Sequence, residues 1–139
     1  MTEADCEKTG LLMKECFSVP WSVEGLKEMF HTEGYCSFLA KEEEEVIGYV
    51  GMKMVLDEAD ITNVAVLPSH RKKGIAGKLL KQLLEEAKKQ NLHSIYLEVR
   101  ASNIAAVTLY EHAGFKEVGQ RKNYYDNPRE YARLMLWEA

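Results

Sequence analysis

Cysteine is scarce in this chain, and what there is does not pair. The 139 residues hold three, Cys6, Cys16 and Cys36. They are odd in number, lie in apolar contexts and lack metal-type pair spacing, which argues against a disulfide framework and reads as free core thiols. The four histidines, His31, His70, His93 and His112, share no metal-ligand spacing either, so they read as surface residues and no metal is expected. No apolar run approaches the roughly 20 residues that span a bilayer, and "MTEADCEKTG" carries no apolar signal segment. An excess of positive charge is also missing. The formal net charge is −4, which argues against a general nucleic-acid binder and makes the basic cluster Arg71, Lys72, Lys73 a local feature. Linkers, repeats and composition breaks are absent, so one domain over residues 1–139 is expected, with a real core from its 46% hydrophobic content. These absences lead to the expectation of a soluble, cytoplasmic protein, a monomer or weak dimer, that engages neither nucleic acid nor membrane.

What is present is strong local patterning. Residues 3–16 and 22–33 read as amphipathic helices parted by "SVPWS", where Pro20 interrupts and Ser22 offers an N-cap. "YCSFLAKE" and "EVIGYVGMKMVL" read as strands of a hairpin across the acidic turn Glu42 to Glu45, and "DITNVAVL" as a third strand ending at Pro68. Ile75, Ala76, Leu79, Leu80, Leu83, Leu84 and Ala87 form a 3.6-residue stripe. "HSIYLEVR" alternates, with Ile95, Leu97 and Val99 on one side and Tyr96, Glu98 and Arg100 on the other. A helix from about Asn103 to Ala113 stops at Gly114, and "FKEVGQRKNYY" and "EYARLMLWE" close the chain as strands. The order implies an α/β fold, a mixed central sheet with helices on both faces.

The stretch "HRKKGIAGKLLKQLL" combines a strand exit, two glycines and a helix start. That arrangement leaves unpaired backbone N–H groups at the positive end of a helix dipole, an anion site, with Gly74 and Gly77 permitting close approach. A nucleotide P-loop is excluded. It needs glycine where Lys72 stands and Ser or Thr where Leu79 stands. On local grounds a bland alternative remains open: the basic residues solvate a helix end and the glycines relieve crowding.

"NVAVLPSHRKKGIAGKLL" resembles the acetyl-CoA signature of the GNAT N-acetyltransferases, [Q/R]-x-x-G-x-[G/A], which Arg71, Gly74 and Ala76 fit. "VLDEADITNVAV", "LEVRASNIAAVTLYEHAGF" and "RKNYY" are similar to the ribosomal-protein-alanine N-acetyltransferase branch of that family. The resemblance runs from about Val55 to the C-terminus, with a weaker echo at "VPWS". Relatives usually carry a short strand ahead of the point where this chain starts, so the first strand of the sheet is expected to be missing or vestigial. The resemblance implies a GNAT fold and transfer of an acetyl group from acetyl-CoA to the N-terminal amine of a protein, here a ribosomal one, by direct attack.

It also implies roles. The cofactor pyrophosphate would sit on Arg71, Lys72, Lys73, Gly74, Ile75, Ala76, Gly77 and Lys78, bound mainly by backbone amides. The pantetheine arm would pair with the strand at Val64, Ala65 and Val66, which also leaves a backbone N–H for the thioester oxygen. Asn103 and Tyr110, seven residues apart, project from one helix face with the small Ala106 between them. Asn103 would hydrogen-bond the arm, and Tyr110 would bind the cofactor and protonate the departing thiolate. An N-terminal ammonium, with a pKa near 8, must lose a proton before it can attack, and Glu98 matches the family's general base. The plainer readings are an N-cap for Asn103, a half-buried aromatic for Tyr110, and for Glu98 an exposed partner of Arg100 or a lysine. Trp21 on one side, and Tyr124 with Tyr125 on the other, would wall the acceptor groove; core or hairpin packing is the alternative for each. Acidic residues in "LDEAD" would attract the acceptor's ammonium. Two other functions stay open, acetylation of a small-molecule amine and a non-catalytic acyl-CoA-binding module.

Overall fold

A computed structural model of the chain describes residues 1–17, 21–125 and 130–139, the side chains of 123–125 left aside. After a 3-10 turn at Glu3–Asp5 come α1 (Cys6–Cys16), α2 (Val23–His31), β1 (Tyr35–Glu42), β2 (Glu45–Val55), β3 (Glu58–Val66), a second 3-10 turn (Pro68–His70), α3 (Ile75–Lys89), β4 (Ser94–Arg100), α4 (Ile104–His112), β5 (Lys116–Tyr125) and β6 (Glu130–Glu138). The expected elements all form, their ends shifted by a few residues at most. Pro20 lies outside the described residues.

The six strands make one sheet in the order β1-β2-β3-β4-β6-β5. All neighbours are antiparallel except β3 and β4, which run parallel. Among the described residues no strand precedes α1, and β1 forms the sheet edge on that side.

The two apolar periodicities build two cores, one per face. On the first face α3 lays Leu79, Leu80, Leu83 and Ala87 against Val50, Met52, Ile95, Leu97 and Val99, and α4 adds Val107 and Tyr110. On the other, α1 and α2 cover Val46, Tyr49 and Ala65 with Leu12, Met13, Leu26 and Met29. Burying each of these large side chains stabilises the fold by about 1.5–3 kcal/mol before entropy is counted. Ser22 caps α2 as expected, its Oγ accepting the Gly25 N–H at 3.0 Å, a contact worth about 1 kcal/mol. The N-terminal turn is tied to the sheet edge by Lys41, whose Nζ lies 2.6 Å from Asp5 Oδ1. The Lys41 hydrogen bond, helped by the Thr2 N–H, holds the Asp5 carboxyl at about 2.

Candidate active site

The sheet is incomplete at its centre. β3 and β4 pair only at Glu58↔Ser94, Ala59↔Ile95 and Asp60↔Tyr96. Beyond that point β3 continues to Val66 paired with β2 alone, and β4 continues to Arg100 paired with β6 alone. A wedge therefore opens between them, with strand backbone on both walls.

The register decides which backbone groups face the wedge. The Leu67 N–H donates to the Ile47 carbonyl at 2.9 Å, so two residues back Ala65 and Tyr49 are again a hydrogen-bonded pair. The backbone of Ala65 is therefore committed to β2, and Val64 and Val66 turn theirs outward. Of the three expected pantetheine contacts, these two carry the available groups. The Val66 carbonyl already accepts from Arg71 Nε at 3.1 Å and from the Cys16 thiol at 3.4 Å. Burial pushes the Cys16 thiol up, with Arg71 opposing. All three cysteines are free; Cys6 is buried, and Cys16 and Cys36 are partly exposed.

At the mouth of the wedge the chain turns from β3 into α3. Lys72 and Gly74 both adopt left-handed backbone, at φ 63° and 77°. Gly74 is the N-cap position of α3, and no side chain caps the helix. The first intrahelical bond runs from the Lys78 N–H to the Gly74 carbonyl at 3.1 Å, so the N–H groups of Ile75, Ala76 and Gly77 are the helix's unpaired donors. A Cβ on Gly74 would meet no atom within 4 Å, so the space beside this residue is open. Gly77 is less constrained than expected, since a Cβ there would make only an ordinary contact with Leu109. Gly48, unnoticed in the sequence, is tighter. Its absent side chain lets Ile75 and Leu79 press onto β2, where a Cβ would come within 3.0 Å of Leu79.

Arg71 thus serves as a brace that ties the turn to the end of β3, while Lys72, Lys73 and Lys78 are exposed. His70 departs from expectation. Its side chain is only 15% exposed, held by Ser69 Oγ at 2.9 Å and Glu42 at 3.2 Å, because the β1–β2 hairpin tip folds against this turn. The other three histidines are exposed. No cluster of metal-ligating side chains occurs among the described residues.

The next helix, α4, carries the two residues expected to meet the cofactor. Asn103 is its N-cap, with Oδ1 accepting the Ala106 N–H at 3.2 Å, which leaves its amide nitrogen as the donor for a ligand. Tyr110 is placed by the helix's end. The Gly114 N–H bonds to the Glu111 carbonyl and the Phe115 N–H to the Tyr110 carbonyl, with Gly114 at φ 105°, a Schellman motif. Its accompanying apolar contact is Tyr110 on Phe115, edge to face with ring centroids 5.9 Å apart. Asn103 is exposed and Tyr110 buried, so the seven-residue spacing sets them at different depths.

Glu98 alternates with Leu97 and Val99 and so lies on the face opposite the α3 core, on the β4 side of the wedge. It pairs with Arg121 of β5, Nη2 to Oε1 at 3.1 Å. Arg100, its expected partner, is turned to Glu130 instead. Asn63 occupies the β3 side of the wedge on the same face as Ala65, and its amide nitrogen is buried with no hydrogen-bond partner. Sequence reasoning passed over Asn63, although a carboxamide in a run of β-branched and small apolar residues is the signal that could have found it. Trp21 packs against the α1–α2 core. The side chains of Tyr124 and Tyr125, the expected opposite wall, lie outside the described residues.

The arrangement offers a strand-like slot, a helix start with no side-chain cap at one end, and the Glu98 carboxylate on the β4 side. Residues 8–115 match the acetyltransferase (GNAT) family. A [ribosomal protein bS18]-alanine N-acetyltransferase of Haemophilus influenzae is 38% identical over 134 residues, covering 94% of this chain and 90% of the relative. The crystal structure of the ribosomal-protein-S18-alanine N-acetyltransferase of Escherichia coli superimposes with a TM-score of 0.91 at 32% identity, covering 99% of this chain and 90% of that one. A spermidine N-acetyltransferase chimera from Vibrio cholerae and a human enzyme aligns at 0.84 and 26%, covering 99% and 92%.

Proposed function

Because the chain belongs to the acetyltransferase (GNAT) family, we propose that it transfers acetyl from acetyl-CoA to the α-amine of a protein N-terminus, an alanine of a bS18-type ribosomal protein. The observation that carries this reading is the wedge between β3 and β4, which ends at the uncapped start of α3 and has Glu98 on one wall. The acceptor is read from the 38% identity, over 94% of the chain, to a [ribosomal protein bS18]-alanine N-acetyltransferase.

The chain's residues fit acetyl-CoA. Open space above Gly74 and the amides of Ile75, Ala76 and Gly77 suit a pyrophosphate. The outward backbone groups of Val64 and the Val66 N–H suit an extended arm that carries amides of its own, with Asn103 Nδ2 as a further donor. Bound there, acetyl-CoA supplies the acetyl group as a thioester and a thiolate as leaving group. The chain's part is proton handling and orientation. Glu98, directly or through a water, takes a proton from the acceptor's ammonium and so frees the nitrogen lone pair. A β3 backbone N–H steadies charge on the carbonyl oxygen as the C–N bond forms and the C–S bond breaks. The Tyr110 hydroxyl delivers a proton to the departing sulfur and regains one from solvent, into which the nitrogen, cationic after attack, releases its second proton. We place the enzyme in the cytoplasm, where ribosomal proteins are made; no helix of the described residues is long and apolar enough to cross a membrane.

Thiol release from acetyl-CoA, measured against peptides with different N-terminal residues and against spermidine, tests the reading. Turnover is expected with an alanyl peptide and to be far slower with the polyamine. Glu98→Gln should lower kcat roughly 10²–10⁴-fold while acetyl-CoA affinity holds. Preference for spermidine would overturn the acceptor, and full activity of Glu98→Gln the base.

A further inference from the structure

We propose that Arg121 is a positioning residue for the acetyl transfer, holding the Glu98 carboxylate in its working orientation; this rests on the assignment of Glu98 as the base. Arg121 stands on β5 and Glu98 on β4, with β6 between them. The register sets Glu98 opposite Leu134 and Arg121 opposite Ala132. The two side chains therefore reach across a whole strand to meet at 3.1 Å, 56% and 27% exposed. An ion pair this open adds little to stability and restricts two long side chains.

What brings Arg121 to Glu98 is a defect in the sheet. Glu117 pairs with Met135 and Gly119 with Leu134, so β5 carries one extra residue, Val118, at a bulge. Met135 belongs to the α3 core, while Leu134 shares the face of Glu98. In a regular β5 the alternation begun at Glu117 would carry Arg121 to the core face; the bulge reverses it. The guanidinium, a planar and permanently charged fork, then binds Oε1 of Glu98 and leaves Oε2 for the acceptor's ammonium or the water that serves it. Arg121 touches no reacting atom. Its effect passes through Glu98.

A double-mutant cycle on the full-length enzyme tests this, with kcat and KM measured for an alanyl N-terminal peptide and acetyl-CoA. Arg121→Gln is expected to lower kcat on the order of 10-fold in the otherwise unaltered enzyme and less than about twofold in the Glu98→Gln background, because residues acting as one unit are not additive. The KM for acetyl-CoA and the denaturant midpoint should stay put in both backgrounds, and Arg121→Lys should restore part of the loss. An equal loss in both backgrounds, or no loss in either, overturns the inference while leaving Glu98 as the base. Full activity of Glu98→Gln overturns the assignment of the base, and the role of Arg121 falls with it.

Discussion

Gly74 separates the cost of folding the anion-binding turn from the cost of filling it. Its φ of 77° is left-handed, and a Cβ there would meet nothing within 4 Å. Gly74→Ala therefore pays for conformation alone, about 1–2 kcal/mol, with no clash to add. For a domain of 139 residues that is a fall in Tm of roughly 3–8 °C. Gly74→Asn should cost less, since asparagine tolerates left-handed backbone. Both variants add a Cβ at the N-cap of α3, where the proposal seats the pyrophosphate. Coenzyme A affinity, read by calorimetry well below either Tm, should thus fall on the order of 10-fold or more in both, out of step with their stabilities, as each displaced charge-assisted hydrogen bond is worth about 1.5–3 kcal/mol. Coenzyme A binding to Gly74→Asn at the unaltered affinity would refute the placement of the pyrophosphate on this turn.

At Tyr110, Phe keeps the ring against Phe115 and removes the hydroxyl. Tyr110→Phe should therefore slow the chemical step on the order of 10-fold, whereas Tyr110→Ala should cost about 3–5 kcal/mol of stability as well; unaltered turnover of the Phe variant when chemistry limits the rate would make Tyr110 a packing residue. Asp5 titrates at about 2 when folded and near 3.8 in its ordinary state, so its bond to Lys41 stabilises the fold fully above about pH 4 and is lost as pH falls toward 2. Stability curves of the parent and Asp5→Asn should run parallel above pH 4 and converge as the pH drops from there to 2; curves that keep a constant gap across that window would dismiss the contribution of Asp5.

Local periodicity made most of the fold legible. The leucine stripe of α3 and the alternation of Ile95, Leu97 and Val99 are short-range consequences of burial, and each element formed where its pattern ran. The misses are long-range. His70 looks like a surface residue until Glu42, 28 positions away, closes over it. Glu98 and Arg100 are two residues apart on one strand face, which suggested a pair, yet Glu130 takes Arg100 and Arg121 takes Glu98. The bulges are least visible of all. Nothing in "DITNVAV" or "KEVGQRK" marks Thr62 or Val118 as the extra residue, yet those two insertions decide which way Asn63 and Arg121 face. Likewise the sequence nominated Val64, Ala65 and Val66 as a block, and only register could divide them.

The wedge also has a mechanical meaning. Among the described residues, three residue pairs and the bond from the His93 N–H to the Asp57 carbonyl lace β1-β2-β3 to β4-β6-β5 through the backbone; beyond them α3 lies across one face of both halves. The sheet is thus two ribbons riveted at one end and splinted on one side. A guest that hydrogen-bonds along β3 acts as a seventh, removable strand, and the stiffness of the whole sheet then depends on whether it is in place.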